Sequence, residues 1–363
     1  MFKVFTTAAV IDRIVNSLTS RRKPECGWMG ILSTQNVFYY SGAEDHMDSV
    51  IKKRDMNDPW FIAQMAGKKF IWCNEYLEDV KRNPERVLEN PDSAFLLDVD
   101  DSFAKQVEQE YGVIFQPVSK LDTMCKVSEH HYPVELYKYE EGSDPDDTRK
   151  SWKDVIGDDA CKYPSNAMVI VDRNFWSDTN RSTDEMCGIE NLVDLLDTVL
   201  PKKLKCEYQV LVVYQHGCRD KSDPRETEEN FLEEMEAHLN RLARPLRKYP
   251  VSVKMLAVRK PPQKHYEQRH RDLFNETHNR RIVTNYFVLK GEWSMAPFWK
   301  DKGPRGNQTI SWDKCFAGVG ERPRQDLPVY QMEEIIGCVK EILDGQQDIY
   351  SIIQPLENRL IQQ

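Results

Sequence analysis

Several things that would settle a function at once are missing. No run approaches 18 uncharged apolar residues, so a membrane-spanning helix is not expected. The start, Met1-Phe2-Lys3-Val4-Phe5, reads as a strand and lacks the basic and apolar regions of a secretory signal. Glycine is scarce, 16 among 363 residues, and forms neither GxGxxG nor a Walker A loop, which excludes the usual nucleotide cradles. GxSxG and HExxH are also missing, so serine-hydrolase and zinc-protease readings fall. Nine cysteines are present, but with no CxxC pair. The irregular spacing speaks against a zinc ribbon or disulfide framework and for reduced, mostly buried thiols in a cytoplasmic protein. No internal repeat is visible, and no cofactor is expected.

What is present argues for a folded chain of two domains. The length allows two or three domains, and 8 Trp, 15 Tyr and 14 Phe oppose disorder. Residues 139–159 carry eight acids with Gly, Ser and Pro, the mark of a solvated connection. Domains are therefore expected at 1–145 and 161–363, with an acidic linker at 146–160.

The first domain opens with a strand at 2–6 and a helix bearing Val10, Ile11, Ile14, Val15 and Leu18 at helical spacing. Strands follow at 27–32 and 37–40, a helix at Asp58-Pro59, and a strand at 94–99. Asp100 or Asp101 caps a helix over 103–111 that ends on Gly112, before a strand at 113–115. The second domain repeats the alternation. Strands are expected at 167–171, 208–214, 251–258 and 282–289, and helices at 189–200, 225–244 (capped by Asp223-Pro224) and 332–343. The fold class is α/β, with mixed sheets flanked by helices.

Charge is segregated. Residues 241–305 hold sixteen Lys/Arg against five Asp/Glu, a net of +11, which leaves −20 for the rest of a chain whose total is −9. With His265, His270, His278 and interleaved aromatics, this block suits phosphate contact and base stacking. Arg244, Arg247, Arg269 and Arg271 are candidate ligand residues here. The plainer alternatives are a cationic helix end favoured by the helix dipole, a solvated face, or pairing with the acidic excess elsewhere.

One stretch carries chemistry. His278 and Arg280 are two apart, so on a strand both face one way. Arg offers a bidentate fork to phosphate, and His a proton donor, acceptor or nucleophile. Arg281, Asn285 and Tyr286 extend the candidate set, and Gly291-Glu292-Trp293-Ser294 follows as a turn. The pattern H-x-R-x4-N resembles the H-x-K-x4-D of the phospholipase D superfamily. It is closer to the phospholipase D-like C-terminal domain of MIT-domain proteins, with His278, Arg280, Ile282, Asn285 and Tyr286 at matching places. The run H-x-R-x-I-x-T-N-Y is similar to one in uncharacterised bacterial proteins and carries no function with it; bacterial anti-phage defence is an expected setting that no physical argument supports.

The resemblance implies a phospholipase D-like second domain. Arg for Lys and Asn for Asp depart from the catalytic pattern, and no second copy occurs. Enzyme chemistry would then need a homodimer, with His278 as nucleophile and Arg280 stabilising phosphate charge. Three functions remain open: an accessory or sensor protein binding nucleic acid or another phosphate-bearing ligand, a dimeric phosphodiesterase or nuclease, and a scaffold for a protein partner.

Other clusters are weighed against plainer roles. Asp172-Arg173 ends the 167–171 strand and His216 follows the 208–214 strand, where α/β sheets bind ligands; a local turn pair is the alternative. Asp98, Asp100 and Asp101, with Glu75, Asp79 or Asp12, would suit Mg²⁺ but equally cap a helix. Cys125, His130 and His131 lack further metal ligands.

Overall fold

The computed structural model describes residues 2–19, 35, 37–43, 45–46, 68–121, 133–138, 140, 150–157, 160–176, 187–216, 227–259, 273–274, 280–299, 303–318, 323–345, 349–350 and 356–362. The expected strand at 27–32 and the helix at Asp58-Pro59 lie outside them. The chain divides into two compact units, Met1–His130 with Lys314–Gln331, and His131–Asp313 with Met332–Gln363. The seam falls ahead of the acidic stretch at 146–160. Residues 134–136 already pair into the second sheet, and Trp152 belongs to the second core.

The first unit is a five-stranded parallel sheet of β1 (Lys3–Thr7), β2 (Val37–Ser41), β3 (Lys69–Trp72), β4 (Ser93–Leu97) and β5 (Ile114–Pro117), in the order β3-β2-β1-β4-β5. Helices α1 (Ala8–Thr19), α2 (Asn74–Arg82) and α3 (Asp101–Tyr111) connect its strands. Chain order reverses between β1 and β4. In-register pairing puts Tyr39 and Phe95 on either side of Phe5, and Phe115 beside Phe95. The rings stack at 4.8, 4.6 and 5.7 Å, so one face of four strands is bound by a continuous aromatic ladder. The expected helix at 103–111 forms as α3. Asp100 stands at its N-cap in extended geometry, and Gly112, at φ 64°, takes the left-handed position that closes it.

The second unit holds an eight-stranded mixed sheet in the order β15-β9-β8-β7-β10-β11-β14-β6. Its strands are β6 (Val134–Leu136), β7 (Ala167–Val171), β8 (Tyr208–Gln215), β9 (Val251–Val258), β10 (Arg280–Thr284), β11 (Phe287–Gly291), β14 (Gln308–Lys314) and β15 (Ile349–Tyr350). A two-stranded ribbon joins β12 (Phe298–Trp299) to β13 (Gly303–Pro304). Helices are α4 (Trp152–Ile156), α5 (Cys187–Val199), α6 (Glu228–Ala243) and α7 (Pro328–Gly345). β7, β8 and β9 run parallel, with α5 and α6 as crossovers, while β10 returns antiparallel to β7. β7 and β8 are apolar and buried throughout most of their length, as strands covered on both faces must be.

Two expectations are corrected here. Residues 282–289 form a hairpin rather than one strand, because β10 turns back through Asn285-Tyr286 into β11. α6 is capped by Thr227, whose hydroxyl accepts the Asn230 amide at 3.2 Å, and Asp223-Pro224 lies outside the described residues.

α6 also dresses one strand edge. Asn240 accepts the Val253 amide at 2.9 Å and donates to the Val253 carbonyl at 2.9 Å, while Glu236 accepts the Met255 amide at 2.8 Å. β15 pairs with β9 at Ala257 and Val258, and at Val253 and Met255 these side chains take backbone groups that a neighbouring strand would bond. Among the described residues no helix is long and apolar enough to cross a membrane.

Candidate functional site

The parallel strands of the second unit end along one edge, where Asp172 follows β7. Its amide donates to the Val213 carbonyl at 3.1 Å, which carries the strand pairing one residue beyond β7. Because β10 is antiparallel to β7 and Arg281 pairs with Val171, β10 begins where β7 ends. That register brings Arg280 to Asp172, Nε to Oδ1 at 3.1 Å, with the two residues 6% and 0% exposed.

The carboxylate is heavily engaged. Oδ1 also accepts the Asn174 amide at 3.0 Å, and Oδ2 accepts Ser294 Oγ at 3.0 Å and the Met295 amide at 2.7 Å. Asp172 thus ties together the end of β7, the start of β10 and the turn after β11. Arg280 faces it with Nε, and that buried nitrogen, though within ion-pair distance, makes no hydrogen bond among the described residues.

A second guanidinium feels the same carboxylate. Arg305, just after β13, donates to the Ala296 carbonyl at 3.1 Å and lies over the Trp299 ring at 4.9 Å. Burial pushes it below its ordinary value, and the charge of Asp172 acts in the opposite sense. Arg173 completes the edge: its carbonyl accepts the Gln215 amide at 3.3 Å, and its buried Nε has no hydrogen-bond partner.

His216 stands at the end of the neighbouring strand, its amide on the Val258 carbonyl at 2.8 Å. Its Nε2 is 3.3 Å from Oε2 of buried Glu228, and the Tyr214 hydroxyl donates to the other oxygen of that carboxylate. An imidazole held by a buried carboxylate, itself held by a phenol, is an arrangement suited to moving protons.

Asp172, Arg173, His216 and Arg280 therefore share one edge. Other candidates do not. Asn285 sits at the far end of β10, about 16 Å away at roughly 3.3 Å per residue. There its Oδ1 accepts the Asn166 and Ala167 amides at 2.9 and 3.1 Å and Ser165 Oγ at 3.2 Å. Its Nδ2 donates to Asn166 Oδ1 at 3.1 Å, and Tyr286 beside it is buried. Both belong to the hairpin turn that clamps the start of β7, because the chain reverses where a continuous strand was expected. Arg281 alternates to the opposite sheet face from Arg280, where burial lowers its pKa and Glu334 of α7 offsets part of that shift.

The basic block is divided as well. α6 runs from the His216 edge to the opposite one, and leaves Arg244 and Arg247 beside the amino ends of the strands. Arg247 is spent on α5: it pairs with Asp197 at 2.7 Å and donates to the Asp197 carbonyl at 2.6 Å and the Leu200 carbonyl at 3.0 Å. Lys254 lies 3.7 Å from Glu236. Among the described residues, the cations of 241–305 thus do not gather into one patch. Arg269, Arg271 and His278 lie outside them, as do Cys125, His130 and His131.

In the first unit Asp100 takes its expected cap position, and Asp101 bonds the Ser119 hydroxyl and lies 3.3 Å from Lys120. Among the described residues no group of three His, Cys, Asp or Glu could hold a metal. Sequence reasoning assigned no role to Ser294, Arg305 or Glu228. Ser294 stood within a recognised turn, whereas Arg305 and Glu228 carry no local signal, since only the folded sheet edge selects them. No family model matches the chain, and neither a curated protein nor a solved structure matches it.

Proposed function

We propose that the second unit is a non-catalytic binding module of an accessory or sensor protein, and that it takes a phosphate group, nucleic-acid phosphate included, at the carboxyl edge of β7. The observation that carries this reading is Arg280. Its side chain is more than nine-tenths buried, yet its Nε makes no hydrogen bond among the described residues. Arg305 and Arg173 add positive charge beside Asp172, whose carboxylate already accepts three other donors. A phosphate oxygen pair matches the guanidinium fork of Arg280. The phospholipase D-like assignment belongs to the same proposal and rests on His278-x-Arg280, without Asn285 and Tyr286. A cytoplasmic setting and a role in anti-phage defence are part of it too.

The test is binding of labelled single-stranded oligonucleotides and of inorganic phosphate, measured across a salt series with wild type, Arg305→Gln and Arg280→Gln. The expected result is a steep salt dependence and at least tenfold weaker binding in both variants, with far-ultraviolet dichroism unchanged in Arg305→Gln. Wild-type levels of binding in Arg305→Gln and Arg280→Gln would overturn the proposal.

A second reading, the phosphodiesterase, is favoured by one observation: His216 on Glu228 at the same edge. Cleavage of an oligonucleotide by the wild type, lost in His216→Asn with binding intact, would establish it over the binding module.

A further inference from the structure

We infer that the ligand taken at the carboxyl edge of β7 is single-stranded nucleic acid, and that Trp293 and Tyr137 are the platforms on which its bases stack; the inference rests on the phosphate seat proposed above. Among the described residues three large apolar side chains are exposed, Trp72, Tyr137 and Trp293, and the last two are 67% and 63% exposed. A single exposed aromatic needs no explanation. Two on the rim that carries a buried arginine call for one.

Strand direction puts both rings there. β11 runs antiparallel to β10, so it ends where β10 begins, with Gly291 paired to Arg280. The turn that follows carries Trp293 and is pinned from three sides. Glu292 accepts the Thr309 amide at 3.1 Å, Gln308 Oε1 accepts the Trp293 and Ser294 amides at 3.3 and 3.4 Å, and Ser294 Oγ donates to Asp172 at 3.0 Å. β14 therefore starts at this same edge. β6, antiparallel to β14 with Leu136 opposite Gln308, ends there. Tyr137 is the next residue; its hydroxyl donates to Glu135, and the following Lys138 amide donates to Asn307 Oδ1 at 2.7 Å. One rim thus carries Arg280, Trp293, Gln308 and Tyr137 across three strand spacings, about 14 Å at roughly 4.8 Å each.

Within 241–305, burial withdraws Tyr249, Phe274, Tyr286, Phe287 and Phe298 from any ligand, and Trp299 lies under Arg305. Trp293 is the aromatic of that block left in solvent among the described residues. The carboxylates beside the two rings, Glu292 and Glu135, disfavour phosphate at that end of the rim. A strand held by Arg280 and Arg305 therefore keeps its backbone on the arginine side and lays its bases towards the rings. Aromatic faces accept any base, provided the base is not already stacked inside a duplex. A ring on a turn fixed by hydrogen bonds also loses little freedom on binding.

Fluorescence anisotropy of the full chain with a labelled oligothymidine, and with an abasic strand of the same length and charge, tests this. The expected result is that the wild type binds both strands, the base-bearing one more tightly by about fivefold or more. Trp293→Ala should bring oligothymidine down towards the abasic strand and leave abasic binding unchanged, while Trp293→Phe keeps most of the difference. Tyr137→Ala should lose part of it. Arg280→Gln should weaken both strands alike, because it acts on the backbone. Equal affinity of the wild type for the two strands, or an undiminished preference in Trp293→Ala, would overturn the inference and leave the phosphate seat standing. Failure of the wild type to bind either strand would overturn both.

Discussion

Arg280 lies against Asp172 with Nε 3.1 Å from Oδ1, both residues buried. An ion pair made for stability alone commonly uses two parallel hydrogen bonds, which are stronger than one. Here the near nitrogen, Nε, makes no hydrogen bond among the described residues, and an unused buried donor is expensive.

Removing the carboxylate charge therefore has two opposed effects. Asp172→Asn leaves a buried guanidinium uncompensated and is expected to destabilise the second unit by about 3–5 kcal/mol, read from urea unfolding. The same variant should gain stability on adding phosphate, by more than the wild type does, because the anion replaces the lost charge. Equal response of both proteins to phosphate would contradict the assigned seat.

Asn285 is expected to matter for folding and not for ligand. Asn285→Ala strands two backbone amides at the start of β7, costing about 2–4 kcal/mol. Its oligonucleotide affinity, measured under conditions where it is folded, should match wild type. A selective loss of affinity with unchanged stability would return Asn285 to the binding site.

Glu236 gives a pH dependence with a defined sign. Burial raises its pKa above the ordinary 4.5, while the Met255 amide and Lys254 oppose the shift. The native state then holds its proton more tightly than the unfolded chain. Its contribution is fully present below the unfolded value and is lost as pH rises through the raised one. Glu236→Gln keeps an acceptor for Met255 and removes the ionisation. Thermal unfolding should find that variant at least as stable as wild type at neutral pH, with a flatter profile above pH 4.5.

Strand and helix positions were readable wherever local rules are strong. The buried strands at 167–171 and 251–258 lie where the apolar runs put them, and α3 stops on Gly112 as left-handed geometry demands. The hairpin at Asn285-Tyr286 was not readable, since an apolar run on both sides of a two-residue turn looks continuous. That reversal puts Asn285 and Tyr286 in a buried turn at the opposite end of β10 from Arg280. The edge grouping of Asp172, Arg173, His216 and Arg280 was legible, because residues just after parallel strands share an edge by construction. Partners from distant segments, Ser294 and Arg305, were not, because nothing in the order of residues fixes the path between β11 and β14. Net charge along 241–305 misled for the same reason: adjacency in sequence spans both ends of a sheet once α6 crosses it.

The amide of Asn240 and the carboxyl of Glu236 act on β9 as a lid on an adhesive margin. A strand whose outward peptide groups are already occupied cannot recruit an identical strand from another molecule. Shortening either side chain, as in Asn240→Ala, would expose that margin, and the failure would appear as fibrous self-association before any loss of secondary structure.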